Sequence, residues 1–202
     1  MEIENVKISE GLRLEFERAV SNIVRACKRS LLDIIDMQVV AVGNFAVTCP
    51  DPKVEGAVDQ IRLAIDGTLR RRIHSDVSDI GPTVMAEFEL QVKDFAAPRF
   101  RSVVNDSVAH CERSLMDVID IELTSFSGFK SEDTAVMTAI TNARVALEIL
   151  ARRVKADVGS TRSKILSSFQ IVENGGRIPA FGRTVDQIGR DRPERARPGV
   201  AG

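Results

Sequence analysis

Residues 27–37 read CKRSLLDIIDM, and residues 111–121 read CERSLMDVIDI. Seven of the eleven positions are identical and three are conservative, so only Lys28/Glu112 changes character. The match extends both ways at the same offset of 84, pairing Phe16 with Phe100, Val20 with Val104 and Phe45 with Phe129. Farther along, the offset shrinks by two or three, giving Ile65/Leu147, Phe88/Phe169 and Leu90/Ile171, as loop deletions would produce. Self-similarity at a fixed period marks a duplicated architecture. The chain therefore reads as unit one, 1–83, unit two, 84–173, and a C-terminal tail, 174–202.

Periodicity supplies the elements. Phe16, Val20, Ile23, Cys27, Leu31 and Ile34 are spaced as one face of a helix, and Phe100, Val104, Val108, Cys111, Leu115 and Val118 repeat it. A second helix carries Val54, Val58, Ile61, Ile65 and Leu69, and its copy carries Val136, Ile140, Ala143, Leu147, Leu150 and Val154. Strand signals fall between them: the β-branched run at 37–42, the alternation at 121–124, and the cleaner alternation Glu87-Phe88-Glu89-Leu90-Gln91-Val92. Gly43-Asn44 and Ser127-Gly128 read as hairpin turns. The expected fold is thus α+β. Each unit is strand-helix-hairpin-helix-strand in ferredoxin-like order, with helices on one sheet face. The strand at 84–92 is either shared between the units or part of one continuous sheet.

Bulk properties narrow the function. The 202 residues carry a formal net charge of −1 and are 44% hydrophobic, so no global charge draws the chain to nucleic acid or an anionic membrane. No uninterrupted apolar run reaches the ~18 residues of a membrane span, and the first twenty residues lack the h-region of a signal peptide. Three cysteines, two of them at helical core positions, point to reduced thiols and a cytoplasmic setting. Tyr and Trp are absent, which disfavours stacked-ligand platforms.

Candidate chemistry is sparse. The carboxylate pairs Asp33/Asp36 and Asp117/Asp120 recur in both copies and fit structural repeat positions, together with Cys27 and Cys111, better than a metal or acid–base site. Arg70, Arg71 and Arg72 match Arg152, Arg153 and Lys155, forming either an anion or partner patch or the cationic last turn of a helix. His74 and His110 stand in no metal-ligand spacing. Phosphate-loop, dinucleotide and nucleophile-elbow motifs do not occur, so neither cofactor nor metal is expected. The tail from Arg177 onward has six Arg against Asp186, Asp191 and Glu194. Arg177, Arg183, Arg190 and Arg192 are its candidate contacts, on a neighbouring subunit or, less favoured, on nucleic acid.

These features point to a non-catalytic structural or interaction protein whose partner is itself, with the tail docking on the neighbour. Two alternatives stand beside it. One is a small-ligand or regulatory module with an apolar pocket between the halves. The other is an enzyme of unrecognised type built on the repeated aspartates.

Overall fold

The helical spacing of apolar residues does not stop where strands were expected. In the computed structural model, which describes residues 9–94 and 97–178, it runs on through α1 (Glu10–Thr48), where Leu31, Ile35, Gln38, Val42 and Ala46 are all buried. Ser9 caps the start by accepting from the Leu12 N–H. After a tight turn, Asp51 caps α2 (Pro52–Leu63), with Pro52 in the first turn where its missing N–H costs nothing. The helical path then continues to residue 94. It passes a π-helical segment at Ala64–Leu69, the short α3 (Arg70–Arg72), a second π segment at Ile73–Val77, and α4 (Ser78–Asp94). Two more helices follow, α5 (Ala97–Phe126) and α6 (Thr134–Glu173). Asp133 caps α6 through the Ala135 and Val136 amides. Gly175, at φ 71°, ends it, with the Gly176 N–H bonded to the Ile171 carbonyl.

The four long helices pack as an antiparallel bundle. Phe16 near the start of α1, Phe88 near the end of α4, Phe100 near the start of α5 and Phe169 near the end of α6 form one layer. Their ring centroids lie 4.0–6.3 Å apart in all six pairings. Neighbouring helices must therefore run in opposite directions. Each helix gives one phenylalanine, and the closest pairs, Phe16/Phe88 at 4.4 Å and Phe100/Phe169 at 4.0 Å, are copies of each other. The duplication is thus a pseudo-twofold along the bundle axis. It relates α1 to α5, and residues 52–94 to α6. The two halves divide between Asp94 and Ala97, so α4 runs through the position where unit one was expected to end.

No strand occurs among the described residues, and the α+β, ferredoxin-like layout is overturned. The reason is burial. In the run at 37–42, Gln38 and Val42 face the core while Met37 and Val40 face solvent, which is helical and not alternating exposure. Phe88 closes the series Val77, Ile80, Val84, and the adjacent Glu87 is buried beside it, whereas alternation would set them on opposite faces. The helix propensity lost to β-branched residues is a few tenths of a kcal/mol each, small beside ~1.5–3 kcal/mol for each large apolar side chain buried. Gly43-Asn44 lies inside α1. Ser127-Gly128 does turn, between α5 and α6.

The first π segment explains part of the shrinking offset. Buried residues pair at 82 through Ile65/Leu147 and at 81 from Leu69/Leu150 onward. One extra residue therefore lies between Ile65 and Leu69, within the π-helical Ala64–Leu69. A π bulge is how a helix absorbs a one-residue insertion while keeping both flanks in phase. The second π segment has no such counterpart, and nothing in the alignment of the halves explains it.

Two helices are long and apolar enough to cross a membrane by length and composition, although no apolar run in them is unbroken. An 18-residue window of α1 has mean hydropathy 1.5 and one of α6 has 1.2, with 28% and 39% of the windows buried. Core helices of a bundle pass the same test.

Candidate functional site

The repeated motif holds the two halves together. Ser30 and Ser114 occupy equivalent places in it, on α1 and α5. The Arg153 guanidinium of α6 donates to the Ser30 hydroxyl at 2.5 Å. Arg72, its counterpart in the first half, donates to the Ser114 carbonyl at 2.6 Å and to its hydroxyl at 3.1 Å. Each arginine has an aspartate one turn on. Asp157 accepts from the Arg153 Nε at 2.9 Å, and Asp76 accepts from the Ser114 hydroxyl at 2.5 Å. The result is two related polar clasps, each tying the second helix of one half to the first helix of the other.

The cysteines sit beside these clasps in matching environments. Cys27 and Cys111 are both buried. Burial is the main cause that raises the Cys27 thiol, and Asp157 adds to it against a hydrogen bond to Thr161. Burial likewise pushes Cys111 up to about 12, with Cys27 and Asp76 adding to it. A thiol held protonated this way is a poor nucleophile at neutral pH.

The other expected site residues scatter. Asp33, Asp36, Asp117 and Asp120 are exposed within α1 and α5. Asp36 pairs with Arg70 at 2.5 Å, and the same guanidinium holds Asp66 at 2.9 Å. The Asp36 hydrogen bond is the main cause that raises the Arg70 pKa. In the second half, Ala151 stands where Arg70 does, so Asp120 has no matching cation there. The Arg70–Arg72 triplet lies mid-helix and is divided. Arg70 turns to Asp36, Arg71 to its own Gly67 carbonyl at 3.1 Å, and Arg72 to α5. Arg152 caps nothing beyond the Glu148 carbonyl at 3.3 Å, and Lys155 is exposed. His74 lies in the second π segment, and like His110 it is exposed. Arg177 is exposed just past α6, while Arg183, Arg190 and Arg192 lie outside the described residues.

Two of the surface grooves bear on these elements. One, of ≈450 Å³, runs between α1 and α4 along Val20, Val24, Gly81, Pro82 and Met85, with Arg25 and Lys28 on its rim. Pro82 lacks the N–H that would bond the Ser78 carbonyl, and Lys28 reaches the Ser78 hydroxyl at 2.9 Å. The other, of ≈330 Å³, lies between the halves and is lined by Asp76, Asp79, Thr83, Asp106 and His110. Val103 and Ser107 complete its lining. No group of three metal-ligating side chains occurs among the described residues. Neither the protein-family models nor the curated proteins compared with this chain give a match.

The clasp aspartates and serines were missed by reading for catalytic patterns. Their signal was present: Asp76/Asp157 share the offset of 81 with Arg72/Arg153, and Ser30/Ser114 lie inside the repeated motif.

Proposed function

We propose that this chain is a non-catalytic assembly module that associates with copies of itself through the outward face of α1. One observation carries the reading. Met37, Val40 and Val47 are 64%, 64% and 86% exposed, spaced three and seven apart along one stripe. That stripe points away from Gln38, Val42 and Ala46 in the core. The copy of Met37, Ile121 on α5, is equally bare at 65%. Single exposed apolar residues need no explanation, but a helical stripe of them is the kind of surface that partners cover. A stripe on one helix packs on itself about a twofold axis, which closes a dimer without leaving a free face. The filled interior, the protonated thiols and the engaged arginines support a holding role over a chemical one.

Light scattering coupled to size exclusion tests this. The expected mass exceeds 22.2 kDa and rises with concentration. The double variant Val40→Glu/Val47→Glu should return it to that of one chain with unchanged helicity. A parent chain that stays at 22.2 kDa from micromolar to millimolar concentration refutes the proposal.

A further inference from the structure

The residues that shape the groove between α1 and α4 were not kept in the second half. At the offsets of 84 and 81, Arg25 and Lys28 become Ala109 and Glu112, while Ser78, Gly81 and Pro82 become Gly159, Arg162 and Ser163. The floor beneath them was kept, since Val20, Val24 and Met85 pair with Val104, Val108 and Leu166. The core packing is thus common to both halves, whereas the open wall and its cationic rim belong to the first. Gly81 leaves the wall open: a Cβ there would meet only the Val24 Cγ2, at 4.0 Å, where the copy has an arginine side chain. Lys28 closes one end by donating to the Ser78 hydroxyl, and Arg25, one turn back, donates to Ser21 and Asn22, both at 3.4 Å. Neither cation meets a carboxylate among the described residues. Glu17 lines the far end, about 12 Å from Arg25 along the helix.

Size and polarity narrow the occupant. The groove's ≈450 Å³ lies within the roughly 300–1,000 Å³ of small-molecule sites. Its path from Val20 to Lys28 covers about 12 Å of α1, and a helix that long, about 10 Å across, would fill roughly twice the volume. An extended peptide would lay backbone N–H and C=O groups against valine and methionine, where they find no partners. A single hydrocarbon chain has no such groups, and the Arg25/Lys28 pair at one end complements an anion carried on it. We infer that this groove binds a medium-chain fatty carboxylate, its chain over Val20, Val24 and Met85 and its head between Arg25 and Lys28. The Lys28–Ser78 bridge narrows that end, which suits a carboxylate better than a bulkier phosphodiester head. The site lies within the first half and away from the Met37–Val47 stripe, so it stands whether or not the chain self-associates.

Isothermal titration of the full chain with decanoate, kept below its micelle concentration, tests this. One molecule should bind per chain, about fourfold tighter for each CH2 added between octanoate and decanoate. Decanol, which lacks the charge, should bind about tenfold more weakly. Gly81→Leu fills the groove with a better helix former and should abolish binding. Arg25→Ala/Lys28→Glu gives the rim the residues of the second half, a change the fold already tolerates there, and should weaken decanoate about tenfold while leaving decanol unchanged. Val40→Glu/Val47→Glu should bind as the parent does. Decanoate binding that survives Gly81→Leu, that decanol matches, or that is lost with the stripe overturns the inference. So does the absence of binding to the parent chain by both calorimetry and ligand-observed NMR. If Gly81→Leu does not fold, the rim variant decides: an unchanged preference for decanoate over decanol refutes the site.

Discussion

Deleting Gly67 should leave the protein folded and about as stable as the parent, although it removes a residue from the middle of a 43-residue helical path. The argument rests on the register. Gly67 lies in the π segment Ala64–Leu69, which holds the one residue that the first half has in excess of the second. Without it, Leu69 would follow Ile65 at a spacing of three, as Leu150 follows Leu147, and all buried residues on both sides would keep their facing. A Cβ built at Gly67 meets nothing within 4 Å, so no packed neighbour depends on the site. Glycine is roughly 0.8–1 kcal/mol poorer than alanine in a helix interior, so its loss forfeits little intrinsic helix stability. The Asp66–Arg70 pair moves from a spacing of four to three, still on one face. The expected change is within about 1 kcal/mol of zero.

The control is deletion of Ala86, which is exposed in the ordinary helix α4. There the following residues rotate by about 100° per position lost. Glu89 would then take the place of Phe88 in the aromatic layer. Loss of that ring from the core costs about 3–5 kcal/mol before the buried carboxylate is counted. Urea unfolding followed by circular dichroism measures both variants. A loss of more than about 2 kcal/mol on deleting Gly67 would refute the insertion account of the π segment.

Four further outcomes follow from the structure. Ser30→Ala and Arg153→Ala should each cost about 0.5–1 kcal/mol, modest because the arginine side chain is 50% exposed, with positive coupling in the double-mutant cycle; purely additive losses would remove the clasp from the account. The native protein should leave all three thiols unreactive toward a disulfide reagent at pH 8, and each should react once urea unfolds the chain. Because Cys111 holds its proton in the folded state up to about 12 against 9.0 when free, stability should be complete below pH 9 and fall as pH rises toward 12, and Cys111→Val should flatten that decline. Glu122, raised by desolvation and matched by Gln38 in the other half, stabilises fully below its free value of 4.5 and loses that contribution as pH rises. Glu122→Gln should therefore raise the melting temperature at pH 7 and barely change it at pH 4.

The helix faces and the duplication were legible because both rest on spacing, and spacing survives whatever the helix packs against. Where the sequence reading failed, it ended helices too soon. Glu87 to Val92 alternates over six residues, and three apolar positions in six fit one and a half helical turns as well as a strand. What decided the matter was upstream: Val77, Ile80 and Val84 had already fixed a helical phase that Phe88 continues. Ending the second helix near Arg72 had a second consequence. It made Arg70–Arg72 and Arg152–Lys155 look like cations facing a helix terminus, when they stand mid-helix. Two of those arginines reach across to serines 42 and 123 residues away in sequence. No local pattern specifies that reach, since it depends on which helices become neighbours.

The clasps settle what the apolar core leaves open. Each helix face is a series of Val, Leu and Ile at nearly even spacing, and such faces pack almost as well when one helix slides by a turn past another. Four phenylalanines in one layer oppose sliding at one end, because a shifted helix would leave a ring without its neighbours. Farther along the bundle the layers are less distinctive, and there a shifted register would leave the Arg72 and Asp76 groups half-buried without Ser114. An unsatisfied polar group costs about 1–3 kcal/mol, more than the made hydrogen bond contributes, so the clasp acts chiefly by penalising wrong registers. Duplication then doubles the penalty at no cost in new sequence. That accounts for why the identity between halves peaks at CKRSLLDIID and CERSLMDVID and not along the phenylalanine-bearing ends. The motif is where the two copies must recognise each other.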